Sequence, residues 1–544
     1  MFGWQGKLLR IDLETKKISI EDLKTEDLLD FLGGRGLGVK FFVNEVNADI
    51  DPFAPENKIV IAVGPLTGTG ASSASLCSIV TKSPLTNTII SAQVKLYFGA
   101  ELKAAGYDVV IIEGKALSPT LISIKDDDVS LLPADFLFDR PTDEALSLFQ
   151  ISFNDPWVAR ETRFLHIGPA GQKYLPLANL ITDGLPVANS VGIGAVFGSK
   201  NLIGIAVRGT KDILLYDGEV FFKTVFKDLE NLSENLKSFS DLSTYLVFED
   251  FIEHNILACC YFIQPFASEV TLSQIKEIWK RHRGCFSCPI ACLKTTQRGD
   301  FLPEIDAFMS LGPLCGIYDV KSISKIYALC IKLGLDPVET GLTISCAMAM
   351  KEKGLFDDES VPFFGDKKTI LELIPKIAKK ESPLANGAFK LCQELNNPDL
   401  FLGVKGRSIV FDVRNHHYLG LVYATSNCGA THLNGFVFTK ENYDEIPQKV
   451  KLMQDKIAVL ESLGICPYIL KGISLENLLT IFQATTGITL TKEEFLKKGE
   501  EIYQIEHNFN EKAGIKRDAD MLPVKFSFPE FEKILESYYK LRGW

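Results

Sequence analysis

The sequence has no apolar run of about 18 residues, the length a membrane-spanning helix needs, so we expect no transmembrane segment. Basic residues are not in excess, because 58 Lys and Arg face 69 Asp and Glu for a net charge of −11. Nucleic acids and anionic membranes need clustered cations, so neither is expected as a partner. The first residues lack the apolar core and cleavage site of a secretory signal. We therefore expect a cytoplasmic protein whose 12 cysteines are reduced or metal-bound rather than paired in disulfides.

The pattern of the sequence changes along the chain. Up to residue 210, short runs rich in β-branched residues end in glycine or proline, as in KIVIAVGP, DVVIIEGK and LIGIAVRG, which predicts a glycine-punctuated sheet. From residue 215 onward, apolar residues recur at the three- and four-residue spacing of helices. A chain of 544 residues is too long for one compact core, so we expect several domains, divided as 1–210, 211–400 and 401–544.

Two segments of the first domain, 33–38 and 64–70, are dense in glycine. Neither matches a dinucleotide-binding fingerprint, because Val39 stands where the third glycine would follow Gly34 and Gly36. We expect tight turns in both.

One short pattern occurs twice. The predicted helix at 322–333 ends in Leu-Gly-Leu-Asp-Pro, and the helix through Leu460 ends in Leu-Gly-Ile-Cys-Pro. Gly334 and Gly464 occupy the left-handed cap position and a proline follows, a helix-stop arrangement. The similarity is either a coincidence of two helix stops or the mark of two pseudo-symmetric loops that grip two similar halves of a ligand.

Three cysteines are closely spaced as Cys285-x2-Cys288-x3-Cys292. Thiolates this close suit a cubane iron–sulfur cluster, in which each binds a different iron. Zinc is the main alternative, with His282 as a fourth ligand at an unfavourable spacing, and three unligated thiols are the remaining alternative. Spacing alone does not identify a fourth cluster ligand.

Several longer strings resemble the aldehyde:ferredoxin oxidoreductase family. They occur in the order of the family and reach the last residue: GPLTGT (64–69), VTKSPLT (80–86), YFGAELKAAGYD (97–108), IGPAG (167–171), GAVFGSKNL (194–202) and YYKLRGW (538–544).

This resemblance implies an α+β protein of three domains, a β-rich N-terminal base under two mainly helical domains. Between them it implies a tungsten, rarely molybdenum, ion held by two pterins with Mg²⁺ at their phosphates, beside a [4Fe–4S] cluster. The implied reaction oxidises an aldehyde with water to the acid and passes electrons to ferredoxin. The two similar loops would grip the pterins through Gly334, Leu335, Asp336, Glu461 and Ile465, and Cys466 would be the fourth cluster ligand.

The chain departs from the family pattern at the pterin site. Leu76 stands where the family has an arginine between cluster and pterin, and Ile331 replaces the leading aspartate of the first loop. Gln93 begins a Gln-Val-Lys-Leu run in place of Asn-x-Gly-Gly, and 189–192 read Asn-Ser-Val-Gly in place of Gly-Arg-Gly-Gly. Glycines permit close backbone approach and arginines bind phosphates, so the losses predict a pterin site that is remodelled or absent.

The residues expected to carry chemistry are partly kept. Asp306 matches a family glutamate near the metal and could act as a general base if burial raises its pKa. His432 matches the active-site histidine and could donate to the aldehyde oxygen. The leading hypothesis is an aldehyde oxidoreductase, and the alternative is a silent paralogue that keeps the cluster for electron transfer or as a scaffold. In either case the protein could form a homo-oligomer or pair with an active relative.

Overall fold

The first 208 residues fold around two six-stranded sheets. The computed structural model describes residues 1–266, 269–435 and 445–544. In spatial order, the strands of the first sheet are Ile18–Asp22, Lys7–Asp12, Val109–Glu113, Ile59–Val63, Cys77–Lys82 and Ile89–Val94. Those of the second sheet are Leu185–Pro186, Leu180–Thr182, Arg163–Ile167, Leu202–Arg208, Thr120–Lys125 and Asp128–Pro133. Each sheet has one parallel pair and is otherwise antiparallel. The β-rich first part of the chain is therefore confirmed.

The first sheet is buried on both faces. Along strand Ile59–Val63, Ile59 and Ile61 belong to an apolar core shared with the second sheet. Val60 and Ala62 point the other way, into a core shared with helices near the C-terminus. This alternation follows from the two-residue period of a strand and explains the fully apolar run in the sequence.

The remainder of the described chain is mainly helical, as predicted. Its helices are Gly218–Asn235, Lys237–Leu242, Phe248–Glu253, Leu272–Lys276, Ile305–Leu311, Val320–Leu333, Pro337–Glu352, Lys367–Ala378, Gly387–Glu394, His417–Thr425, Ile446–Leu463, Leu475–Thr486, Lys492–Lys512 and Phe531–Arg542. Those of the first part are Thr25–Phe31, Gly34–Glu45, Phe98–Ala104, Thr142–Ile151, Pro156–Glu161, Pro169–Gln172 and Ile193–Ser199. Short strand pairs join Ala258–Cys259 to Gln264–Pro265, Arg281–Arg283 to Leu293–Thr295, and Gly403–Val404 to Arg407–Ser408. Within the described ranges, no helix is both long and apolar enough to cross a membrane. The α+β fold class is confirmed, and the exact domain limits at 210 and 400 stay predictions.

The glycine-dense segment 33–38 is not a tight turn, and that prediction is wrong. A helix, Gly34–Glu45, begins there. A Cβ at Gly34 would lie 2.1 Å from the carbonyl oxygen of Glu461, so only glycine allows this helix to touch the end of helix Ile446–Leu463. Gly64 makes a similarly close contact, 2.0 Å from the carbonyl carbon of Leu463. Gly34 and Gly64 thus serve close packing between two backbones. Segment 64–70 also forms the expected turn, because Gly64 O accepts from the N–H of Thr67 at 3.2 Å.

The two similar loops have the predicted caps, because Gly334 and Gly464 are both left-handed, with φ of 70° and 83°. Both loops also dock on the N-terminal part of the chain. The backbone N–H of Asn179 donates to Gly334 O at 2.9 Å, and that of Leu76 donates to Gly464 O at 3.0 Å. The two loops are thus equivalent in contact as well as in sequence, which favours the pseudo-symmetric interpretation over coincidence.

Candidate active site and cluster site

One cavity of about 470 Å³ lies between the β-rich part and the helical parts of the chain. Six of the residues singled out from the sequence line it: Gln93, Asp306, Asp336, His432, Glu461 and Cys466. Leu76, which stands where the family has arginine, lines it as well. Residues from all three predicted domains therefore meet around one space of the size that holds cofactors and small ligands.

The other predicted loop residues lie behind the cavity wall. Leu335 and Ile465 are fully buried among apolar side chains, and Gly334 packs its backbone against Gly168. None of the three is among the residues that line the cavity. They set the position of the two loops, and the acidic side chains beside them face the cavity.

Ser73 joins the two parts of the cysteine site. Its hydroxyl donates to the sulfur of Cys288 at 3.2 Å, and its carbonyl accepts from the N–H of Cys466 at 3.1 Å. The loop between the cysteines is also fixed to the first domain, because Ser287 O accepts from Ser73 N and the N–H of Phe286 donates to Leu96 O, both at 3.0 Å. The Cys285–Cys292 loop and Cys466 thus converge on one segment of the β-rich part.

The thiols are close enough to influence one another. Burial raises the pKa of Cys466 to about 12, with further increases from Cys288 and Cys285. Burial also raises the pKa of Cys292 well above its ordinary value, with contributions from Glu304, Cys466 and Cys285. Clustered, desolvated thiols resist ionisation unless a cationic centre compensates them, as metal ligation does.

A single zinc ion is the alternative to a cluster. Among the described residues, no three His, Cys, Asp or Glu side chains are placed to hold a metal ion. His282, the alternative zinc ligand, lies on an exposed strand and its Nδ1 is 3.0 Å from Lys294 Nζ. The cluster and its four cysteine ligands stay predictions.

The carboxyl of Asp306 lies in the cavity wall. Burial, and then the negative charge of Glu304, raises its pKa to about 6. Its Oδ1 accepts from the N–H of Ala307 at 2.7 Å at the start of helix Ile305–Leu311. A carboxylate with a pKa this near neutrality is suited to accept a proton.

His432 lies in the same wall, beside the rings of Phe411 and Tyr423, with ring centroids 5.1 and 6.5 Å away. Burial, and then the charge of Arg407, lowers its pKa to about 3. The imidazole is therefore neutral at physiological pH, and one ring nitrogen can donate a hydrogen bond while the other accepts.

The two loop carboxylates already have partners. Asp336 caps helix Pro337–Glu352, its Oδ1 accepting from the N–H groups of Val338 at 2.9 Å and Glu339 at 3.0 Å. Glu461 accepts from Arg35 at 2.9 Å, and burial nevertheless raises its pKa to about 7. Both carboxyl groups are held rigidly at the cavity edge.

The structure corrects the expectation that the side chains replacing the family's glycines block the approach of a cofactor. Leu96, Asn189 and Val191 keep left-handed backbone, with φ of 69°, 58° and 38°. The side chains of Leu96 and Val191 pack into apolar clusters, and neither residue lines the cavity. They therefore do not obstruct a ligand there, whereas Asn189 does face the cavity.

Sequence reasoning missed two cations. Lys95 and Arg407 line the cavity, and Lys95 Nζ lies 3.1 Å from the carboxylate of Glu304. Burial lowers the pKa of Lys95, but the negative charge of Glu304 and of nearby groups has the larger combined effect. The pKa of Lys95 is therefore well above its ordinary value. Lys95 stood out in the sequence only as a lost glycine, and Arg407 had no signal at all.

Together, the two-sheet base and the helical parts closed over it form an α+β architecture with Cys466 in the wall of the cavity between them. The family model for the N-terminal domain of aldehyde ferredoxin oxidoreductase matches residues 8–209, and the model for its domains 2 and 3 matches residues 223–544. The chain belongs to the aldehyde ferredoxin oxidoreductase family.

Individual relatives agree with this assignment. The chain is 34% identical to the tungsten-containing aldehyde ferredoxin oxidoreductase of Pyrococcus furiosus, across 100% of this chain and 97% of that protein. It is 26% identical to the WOR-like subunit of the P. furiosus aliphatic sulfonate oxidoreductase, across 92% of this chain and 84% of that one. A solved structure of the active site complex BamBC of benzoyl coenzyme A reductase, with 1,5-dienoyl-CoA, has a similar fold. Its TM-score is 0.87 at 22% identity, over 100% of this chain and 95% of that one.

Proposed function

We propose that this chain oxidises a small aldehyde to the carboxylic acid in the cavity between its domains. In the balanced reaction, the aldehyde and one water give the acid, two protons and two electrons. A [4Fe–4S] cluster held by the cysteines would supply the one-electron carrier between the cavity and a ferredoxin. The observation that carries this proposal is that Asp306, His432 and Cys466 line one cavity.

Cys285, Cys288, Cys292 and Cys466 are the proposed cluster ligands. Their four thiols are the donor set that a [4Fe–4S] cluster needs. Ser73 supports the assignment, since its hydroxyl donates to Cys288 and its carbonyl receives the Cys466 N–H. A hydrogen bond to a ligating sulfur stabilises the reduced cluster and orients the ligand.

The lining of the cavity suits a tungsten bis-pterin, the cofactor that the family resemblance implies. The cavity adjoins Cys466 and contains two cations that can bind anionic phosphates. Residues at its edge that would hold a tungsten or molybdenum bis-pterin, with Mg²⁺ at the phosphates, are Gln93, Asp336 and Glu461, positioned by Gly334, Leu335 and Ile465. When bound, this group supplies the two-electron redox centre next to the cluster.

Asp306 and His432 are the proposed catalytic residues. With a pKa of about 6, the Asp306 carboxylate is ionised at neutral pH yet basic enough to accept a proton from water at the aldehyde carbon. Neutral His432 donates a hydrogen bond to the aldehyde oxygen as negative charge develops on it. The apolar part of the cavity wall, including Phe411 and Val410, limits water near the substrate.

The test is elemental analysis combined with an aldehyde-dependent assay of ferredoxin reduction. We expect about four irons and about one tungsten or molybdenum per chain, with activity on small aldehydes. The Asp306→Asn variant lacks the proposed base, so it should have no turnover while its content of iron and of tungsten or molybdenum stays unchanged. Four irons with no heavy metal and no turnover would contradict the enzyme.

A second candidate is a silent paralogue that keeps the cluster as an electron-transfer or scaffold subunit. The observation in its favour is that Asp336 and Glu461 are already satisfied by the helix N-terminus and by Arg35. It predicts iron without tungsten and co-purification with a catalytically active relative. The same elemental analysis distinguishes the two candidates.

A further inference from the structure

The charges around the cavity are unequal. Five carboxylates are among the described residues that line it: Glu304, Asp306, Asp336, Glu339 and Glu461. The only Lys or Arg side chains among those lining residues are Lys95 and Arg407. An anionic ligand in such a cavity depends on these two cations for its electrostatic stabilisation.

Lys95 lies on the cluster side. It lines the cavity together with Cys466, and the carbonyl of the next residue, Leu96, accepts from the N–H of Phe286 in the cysteine loop at 3.0 Å. Leu76, which stands in place of the family arginine, lines the same cavity. An ammonium group has three donors, so Lys95 can keep its contact with Glu304 and still bind a second anion.

Arg407 lies on the side of the first loop. Its Nη1 donates to the side-chain oxygen of Asn189. The next residue, Ser190, stands where the family has its second arginine, and its hydroxyl is 3.4 Å from Oδ2 of Asp336. The guanidinium of Arg407 therefore lies beside the segment that carries Ser190, although Arg407 is more than two hundred residues further along the chain.

We propose that Lys95 and Arg407 are the cofactor-binding cations of this chain, replacing in space the arginines missing at Leu76 and Ser190. Each of the two similar loops then has one cation in the same part of the cavity wall. Lys95 lines the cavity with Cys466, and Arg407 precedes Ser408, whose N–H donates to Glu339 at 2.9 Å just after the first loop. Arginine binds a phosphate through two parallel hydrogen bonds, whereas lysine acts as a point charge near the cluster. This inference rests on the proposed function, because it names how the same cavity binds its anionic cofactor.

The experiment compares Lys95→Met and Arg407→Met with the wild type and with Arg140→Met. Arg140 is exposed, pairs with Glu144 and is not among the residues that line the cavity. Tungsten or molybdenum and released pterin are measured per chain, with iron as the measure of intact folding. Each cavity variant should lower bound pterin and heavy metal about tenfold or more at constant iron, the loss expected for a charge-assisted hydrogen bond. Arg140→Met should match the wild type.

Two further readouts separate binding from a merely structural role. Lys95→Met should shift the cluster reduction potential to a more negative value, because the reduced cluster carries more negative charge, and Lys95→Arg should restore it. Unchanged pterin content in both methionine variants overturns the proposal.

If the wild type contains no tungsten, molybdenum or pterin, the proposed function is wrong, but anion binding by the two cations can still be tested. Calorimetric titration with inorganic pyrophosphate then replaces the pterin measurement. Binding that weakens about tenfold in each variant supports the cationic pair. Equal binding in all variants, or none in the wild type, overturns it.

Discussion

Removal of Arg35 should destabilise the protein more than removal of one member of an exposed ion pair would. Its guanidinium is 3% exposed and makes two hydrogen bonds of 2.7 Å to Glu506 and one of 2.9 Å to Glu461. The side chains of those carboxylates are only 4% and 9% exposed. Arg35→Met therefore leaves two buried charges without a cation, a loss of about 3–5 kcal/mol in the free energy of unfolding.

The effect should depend on pH with a definite sign. Burial holds the pKa of Glu461 at about 7 in the folded protein, above its ordinary value of 4.5. A raised folded-state pKa means that the protonated form favours folding, so this contribution is present at low pH and lost as pH rises through about 7. Without Arg35 the carboxyl takes up a proton more readily, and we expect a larger loss of stability at pH 8 than at pH 5.5.

Thermal unfolding at both pH values is the assay. The expected decrease in Tm at pH 8 is on the order of 5–10 °C for a loss of this size in a large domain. Arg10→Met is the matched control, because Arg10 is 23% exposed and its partner Glu45 keeps Lys58 at 2.7 Å. The control should lose no more than about 1 kcal/mol. Equal losses in the two variants, or a loss for Arg35→Met that is the same at both pH values, would refute the reasoning.

The other predictions concern the cavity and the cluster. In active enzyme, kcat/KM should rise as pH increases through about 6, because Asp306 loses its proton there. Asp306→Glu should show the same rise on the acid side of the pH profile. A rise centred near pH 4 in the wild type would contradict the role of Asp306 as the base. Cys466→Ser should lower bound iron from about four to about three per chain, with the electron paramagnetic resonance signal of a three-iron cluster, and unchanged iron would exclude Cys466 as a ligand. Asp336→Ala should lower the free energy of unfolding by about 1–2 kcal/mol in urea because helix Pro337–Glu352 loses its cap, whereas Asp336→Asn should retain most of it.

Local signals in the sequence were sufficient for the strands and for the two loops. A short β-branched run such as KIVIAVGP, ended by Gly and Pro, is typical of a buried strand, and Gly334 and Gly464, each followed by a proline three residues later, are typical helix stops. The helix at Gly34 was missed because glycine disfavours helices, and the reason for these glycines is contact with Glu461, hundreds of residues away.

Contacts between charged residues that lie far apart in the sequence could not be predicted. Arg35, Glu461 and Glu506 form one ion network from three distant segments, and no spacing in the sequence relates them. Arg407 likewise reaches Asn189 only because the chain folds back on itself. The proposed cysteine ligands had a signal in the sequence, since three of them share one short loop and the family pattern implies the fourth.

The anchoring of Cys466 on Ser73 has a consequence for how the protein is made. Ribosomes synthesise Ser73 and the Cys285–Cys292 loop well before Cys466 emerges, so the nascent chain offers three thiols around an open side. With the proposed ligand set, a four-ligand cluster could be completed only after helix Ile446–Leu463 has docked on Gly34 and Gly64. Iron insertion would then follow the synthesis of this helix, and a chain cut short before it would lack the fourth thiol.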